Sequence, residues 1–540
     1  MKSLYKTITA ICITALTVSI SSCEEELTTN SSTSVTSDVL FGTTDGLNKL
    51  LNSAYTTVLF GYLTEGGQAV ATYVGIPGFN LYYDIPGQDI VVTINYGMAP
   101  EDGYQFKPNR TNASQDGRRI WGMMYLVINQ TNAILDALSA ADGSAADKNA
   151  IEGQCLALRG ICYFHLMLNY QQTYAVAKDK RGVILRTSGK QPMDLGFSTV
   201  QQCYDQIVKD LSSAKTKLAS FNRNGKWQVN ADVASGYLAR VYQVMGNWDG
   251  ALAEASAVYS KYSTLMTEAE WCGGQADITI PEIIWAVENT NLSNNGENTQ
   301  FAYWHNQDPS YGEGMSDGPI YNFLAMFVDQ KYVDLFDATD YRGTKCTKTT
   351  GVTDEDEKSV MFWHRTNAGQ VGWPAKWAYN KFKYYGDDGK GTKGQRNLAD
   401  YSILRSAEML LIKAEAEANL GQTTALATLQ TLQTARNAQL TTTTVKADLL
   451  EAIYIERRKE LLGEGVTGMY DNVRLQKELV RYAGASGHFA HGLTNLDVIV
   501  ENVEARLPSN DYRYFCQIPE IEFANNKAID QKDQNPPRGQ

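Results

Sequence analysis

"GYLARVYQVMGNWDGALAEASAVYS", residues 236–260, decides what kind of body this chain builds. Leu238, Ala239 and Tyr242 before Gly246, and Trp248 and Ala251 after it, recur at helical steps. Gly246 sits where the period breaks, and glycine takes the positive φ that ends one helix and starts a turn. Two antiparallel helices are therefore expected. Ala239 and Ala251 let them approach, while Tyr242 and Trp248 fill the gap, which places Trp248 in the core.

The pattern matches a tetratricopeptide helical pair. A weaker echo lies at 407–432, where Leu410, Leu411, Ala414, Ala416, Gly421 and Ala425 occupy similar positions. Upstream, Trp121, Tyr125, Ile128, Asn132 and Leu135 share one helix face within 119–138. Residues 151–170 form a largely buried helix and 200–219 an amphipathic one. Between these units lie two stretches with little helical period, 61–110 and 262–400, rich in Gly, Asn, Asp and aromatics. Loops of that length are usually functional or disordered, and aromatic content argues against disorder. The expected fold is mainly α, with tetratricopeptide-like pairs forming a superhelical scaffold broken by long loop-rich insertions.

The N-terminus has a different character. Lys2 and Lys6 precede an apolar run, 7–20, too short to span a bilayer. Ile20-Ser21-Ser22-Cys23 resembles a bacterial lipobox, which makes Cys23 the lipidated first residue of the mature chain. Residues 1–22 are then a signal peptide, 23–45 a polar tether, and 46–540 one domain. The chain has 540 residues, 43% hydrophobic, and a net charge of −12 without a basic stripe, which argues against nucleic acid as a partner. Its eight cysteines include no C-x2-C, so neither a zinc ribbon nor a dense disulfide scaffold is indicated.

Five segments together resemble the SusD/RagB family of outer-membrane nutrient-binding lipoproteins. They are "WGMMYLVINQTNAIL" (W-x3-Y-x2-I-x3-N), "LALRGICYFHLMLNY", "YSILRSAEMLLIKAEAEANLG", "IERRKELLGEG" (ERR-x-E-x3-EG) and "CQIPEIEFANNKAIDQKDQNP". They occur in the family's order from Trp121 to Pro536. One departure is Thr467, which stands where the family carries an Arg after the EG glycine. The resemblance implies a SusD-like fold and a glycan-capturing lipoprotein partnered with a SusC-like TonB-dependent transporter. It also implies an anchor in the outer membrane at the cell surface. Glu24, Glu25 and Glu26, directly after Cys23, resemble a surface-export signal. A RagB-type peptide or protein binder is the alternative, and a surface enzyme a third.

Enzyme signals are weak. His488 and His491 form an H-x2-H without the glutamate of a zinc protease, and Gly-rich flanks read as a solvent loop. Glu456, Glu460 and Glu464 recur every four residues; with Arg457 and Arg458 among them they read as a salt-bridged helix face. No cofactor or metal is expected, and structural calcium is not indicated. The aromatic segments say more. Residues 79–90, 95–106, 300–314 and 361–380 mix flat rings with amides, carboxylates and Arg. Rings can cover the apolar face of a pyranose while polar groups bond its rim. In the family, ligand contacts come from loops before the W-x3-Y helix and after the tetratricopeptide-like pair. Tyr82, Tyr83, Tyr104, Tyr303, Trp304, His305 and Asn306 are therefore expected to form one exposed glycan platform, with Trp363 and Arg365 in reserve.

Overall fold

The structure, a computed structural model, describes residues 37–61, 75–92, 103–106, 115–275, 277–288, 326–344, 347–349, 377–379, 381, 400–483, 488, 496–500 and 504–536. Its longer helices are α1 (Ser37–Gly42), α2 (Thr44–Phe60), α3 (Gly75–Asp84), α4 (Gln115–Leu138), α5 (Ala145–Tyr170), α6 (Val200–Lys217), α7 (Ala231–Met245) and α8 (Trp248–Lys261). Further along come α9 (Ser406–Asn419), α10 (Ala425–Ala435), α11 (Lys446–Leu461) and α12 (Gly468–Arg474). Helix α1 packs on α2, so residues 37–42 of the span read as tether are helical.

Each main helix packs on the next: α4 on α5, α5 on α6, α6 on α7, α7 on α8. Helix α8 then packs on α9, although residues 262–405 lie between them in sequence, and α9 carries α10 and α11. This nearest-neighbour stacking is the solenoid pattern expected of the scattered pairs. One hydrophobic core runs through it from Leu47 to Ile518.

The α7–α8 turn forms as the sequence predicts. Gly246 caps α7 with φ 69°, and Asn247 caps α8 by accepting from the Gly250 amide. Ala239, Ala251 and Ala255 are fully buried. The close approach has a further contributor: a Cβ on Gly250 would stand 2.8 Å from the Tyr242 ring. Trp248 departs from expectation. It is only half-buried, because the first residue of α8 lies at the rim of the stack, beside the turn.

Polar residues of the recurring motifs tie the helices together. Arg159 on α5 grips Asp210 on α6 with bonds of 2.8 and 2.7 Å and donates to Asn132 on α4 at 2.8 Å. Arg240 on α7 reaches Glu408 on α9 at 2.7 and 2.6 Å. Near the C-terminus, Asn535 donates to the carbonyls of Tyr170 and Cys516, and Trp121 donates to Glu522. Buried polar groups paired this fully fix one register for each helix.

Strands are short and antiparallel. They are β1 (Ile90–Val92), β2 (Ile283–Val287), β3 (Met326–Val328), β4 (Thr347–Thr349), β5 (Trp377–Tyr379), β6 (Tyr401–Arg405), β7 (Leu479–Tyr482), β8 (Asp497–Val500) and β9 (Glu504–Leu507). They form the sheets β1-β3-β5-β4, β2-β6 and β7-β9-β8. Cys155, Cys162 and Cys203 are free and buried, Cys516 is buried, and Cys272 is disulfide-bonded.

Candidate functional site

The first aromatic segment is not a surface loop. Residues 75–84 form α3, and Tyr83 is 1% exposed. Its ring stacks on His165, its hydroxyl lies 2.9 Å from His165 Nδ1, and Asn169 donates to it at 2.7 Å. Burial holds His165 neutral, with its pKa lowered to about 3. Tyr104 is fully buried, stacked on His488 with its hydroxyl 2.7 Å from His488 Nδ1 and with the Arg481 guanidinium over its ring. Neither ring belongs to an exposed platform: each is a core residue whose polar tip is satisfied by a histidine far away in sequence. His488 is likewise buried, not in a solvent loop, and its Nε2 donates to the Gln88 carbonyl at 2.8 Å. Tyr82 lies on α3, but its side chain is outside the described residues. Cys23, Tyr303, Trp304, His305, Asn306, Trp363 and Arg365 also lie outside them.

The Glu456–Glu460–Glu464 ladder is salt-bridged, but in the interior rather than along one helix face. All three carboxylates are buried, and apart from Lys459, 3.8 Å from Glu456 on the same helix, their cationic partners come from other elements. Glu460 accepts from Arg342 (2.8 Å), Arg405 (2.6 Å), Arg436 (2.8 Å) and the Trp271 indole (3.2 Å). Glu456 pairs with Arg342, and Glu464 with Arg405 and Lys381. Arg457 and Arg458, read as the ladder's partners, instead bind Asp471 and Asp89. Burial would raise the Glu460 pKa, but Arg436, Arg405 and Arg342 outweigh it and hold the group well below the carboxylate range.

Beside this lattice, Asp84 ends α3 with no cation among its bonded partners. It accepts from the amides of Gly463, Gly465 and Thr467 at 2.9, 2.8 and 3.2 Å and from the Thr467 hydroxyl at 2.7 Å. Thr467, the departure from the family's Arg, thus clamps α3 to the end of α11. Gly465 takes φ 76° there, and a Cβ on it would collide with Asn80. Burial raises the Asp84 pKa to about 7 against these four donors.

A cavity of about 210 Å³ lies near the first aromatic segment. Asp89 and Gln88 line one part of it, Val480, Tyr482 and His488 another, and Asp329, Lys331, Leu335 and Arg458 the rest. Asp89 is held by Arg458 through bonds of 2.9 and 2.5 Å. Asp329 is 3% exposed and caps the short helix Gln330–Val333 by accepting from the Lys331 amide at 2.7 Å. Its other oxygen, Oδ2, has no hydrogen-bond partner and stands 3.9 Å from His488 Nε2. Burial, reinforced by Asp89, raises the Asp329 pKa to about 7. The Lys331 ammonium rests 3.3 Å from the centre of the Tyr482 ring. Sequence reasoning missed Asp329, Lys331 and Tyr482, because Tyr482 lies far along the chain from the other two.

Comparison with known proteins places this geometry in context. A family profile described as starch-binding associating with outer membrane matches residues 95–243, and the SusD family profile matches 345–536. No curated protein sequence matches. A solved SusD-like carbohydrate binding protein from Bacteroides vulgatus is 27% identical, with 92% of this chain and 99% of that one covered and a TM-score of 0.74. A SusD superfamily protein from Bacteroides thetaiotaomicron is 23% identical over 92% and 100% of the two chains, TM-score 0.70. A laminarin-binding SusD-like protein is 19% identical over 92% and 99%, TM-score 0.65.

Proposed function

The chain belongs to the SusD family, and from that premise we propose that it is a cell-surface lipoprotein that captures glycan and passes it to a SusC-like TonB-dependent transporter. The observation that carries this reading is the end-to-end likeness, at 27% identity, to a structure named as carbohydrate binding. The outer-membrane association in the description of the N-terminal profile supports the location. Lipidation at Cys23 would supply the anchor; among the described residues no helix is long and apolar enough to cross a membrane.

No catalytic step is part of this reading. Glu456 and Glu460, the carboxylates whose spacing raised a glycosidase role, are buried and ion-paired, which keeps both from a substrate. Glycan contact is assigned to Tyr303, Trp304, His305 and Asn306, with Trp304 the principal stacking ring. Affinity gels carrying laminarin, starch or other polysaccharides test the reading. Wild type should be retarded on at least one, and Trp304→Ala should lose about 1–3 kcal/mol of binding, enough to abolish retention. Retention on none, with binding of peptides instead, would favour the RagB-type alternative. In fractionated cells, Cys23→Ala should leave the membrane fraction.

A further inference from the structure

A disulfide needs two cysteines whose Cα atoms come within about 7 Å. Cys272 is disulfide-bonded, so its partner is whichever other cysteine the fold brings close. Cys155, Cys162 and Cys203 are free. Cys516 lies by the end of α5, where its amide donates to the Asn169 carbonyl at 2.7 Å and its carbonyl accepts from Asn535 at 2.9 Å. In the lipoprotein reading Cys12 leaves with the signal peptide and Cys23 carries lipid. Cys346 remains. It lies outside the described residues, between Thr344 and Thr347, which are both described.

The surroundings of the two cysteines converge on one carboxylate. Cys272 ends the short helix Glu268–Cys272, which packs on the short helix Tyr341–Thr344. The Trp271 and Tyr341 rings meet edge to face, with 6.3 Å between centroids. Trp271 donates to Glu460 at 3.2 Å and Arg342 donates to it at 2.8 Å, so both helices are pinned to the same buried group. Cys346 follows Thr344 by two residues, and two peptide units span at most about 7.6 Å between Cα atoms. Cys272 itself is half-buried, open to a reacting thiolate.

We propose that Cys272 and Cys346 form one disulfide, and that this bridge positions the insertion that carries the glycan segment. Residues 273–345 lie between the two cysteines, and Tyr303, Trp304, His305 and Asn306 are among them. With the bridge closed, both ends of that stretch are fixed beside the Glu460 lattice, and a stretch tied at its base has less freedom to lose when it engages a ligand. The pairing stands without the carbohydrate reading; the positioning role rests on it. Each thiol gives up one proton and one electron. A thiol–disulfide exchange protein outside the cytoplasm accepts them on its own disulfide and leaves as a dithiol, so the bridge closes after export.

Non-reducing peptide mapping of the mature chain, exported to the cell envelope and with free thiols blocked before digestion, tests the pairing. Trypsin cuts after Lys261, Lys331, Lys345 and Lys348. The expected product joins 262–331 to 346–348 and comes apart on reduction. A blocked Cys272, or Cys272 joined to the peptide 514–527 that holds Cys516, overturns the proposal. On the polysaccharide gels, Cys346→Ser should weaken retention several-fold while far-UV circular dichroism keeps the wild-type helicity. Reduction of wild type should reproduce that loss, and reoxidation should restore retention. If Cys346→Ser does not fold, reduced wild type supplies the same comparison. Full retention by folded protein without the bridge overturns the positioning role. If wild type is retained on no gel, the carbohydrate reading falls and the positioning role with it, while the peptide map still decides the pairing.

Discussion

Glu460 and Asp329 are both buried carboxylates, and they sit in opposite electrostatic conditions. Glu460 is met by Arg342, Arg405 and Arg436 and stays charged. Asp329 has one amide donor on one oxygen and nothing on the other, and its pKa rises to about 7. Asp84 stands between them, with four neutral donors and a pKa also near 7. Depth of burial is similar in all three, so it does not explain the difference. The partners do: desolvation is a fixed cost, and only full charges at contact distance outweigh it. The Glu460 lattice joins β6 and α11 to the residue before β2 and the residue after α10, and is built to hold still, whereas one Asp329 oxygen stays unbonded.

Removing the centre of the lattice is the strongest test of that contrast. Glu460→Ala strands three arginines in the interior and should cost about 3–5 kcal/mol in urea unfolding, or prevent folding. A cost below about 1 kcal/mol would mean that Glu282, Glu456 and Glu464 can neutralise the arginines alone, and that the lattice is redundant.

The pH dependence at Asp329 probes the other pole. Its folded pKa of about 7 lies above the ordinary 3.8, so the folded state binds the proton more tightly than the unfolded state. Stability from this group is fully present below about pH 4 and is lost as pH rises through 7. Asn at this position keeps the cap to the Lys331 amide but cannot titrate. Between pH 5 and 7, wild type should lose about 2 kcal/mol relative to Asp329→Asn. Parallel stability curves for the two proteins would show that Asp329 stays charged through both states.

The same contrast explains what the sequence revealed. Helices were legible because period and breaks are local: Gly246 marks the α7–α8 turn where the period stops. The motif order was legible as well, and with it the family. The glutamate ladder was read rightly as salt-bridged, but its partners were misassigned, because its spacing is local and most of its partners are not. Four-residue steps on a helix look the same whether the cations sit on the neighbouring turn or arrive from Arg342 and Arg405. Trp248 was misjudged by a smaller margin, since the repeat pattern specifies contact with Tyr242 but not how far the helix end stands from the stack.

Tyr83 is the neutral case, and its substitution has the smallest expected effect. A ring flanked by Tyr82 and Asp84 has the composition of a sugar platform, yet it is buried because His165 and Asn169 on α5 satisfy its hydroxyl. Tyr83→Phe removes that hydroxyl, keeps the volume, and leaves Asn169 Nδ2 its bond to the His165 carbonyl at 2.8 Å. The loss should be about 1 kcal/mol, the net worth of a buried neutral hydrogen bond. Glycan retention should not change, because the ring touches only core. Weakened retention with unchanged melting would put Tyr83 back in the binding surface, and would require α3 to turn outward when ligand binds. A melting shift with full retention leaves ligand stacking to the segment around Trp304.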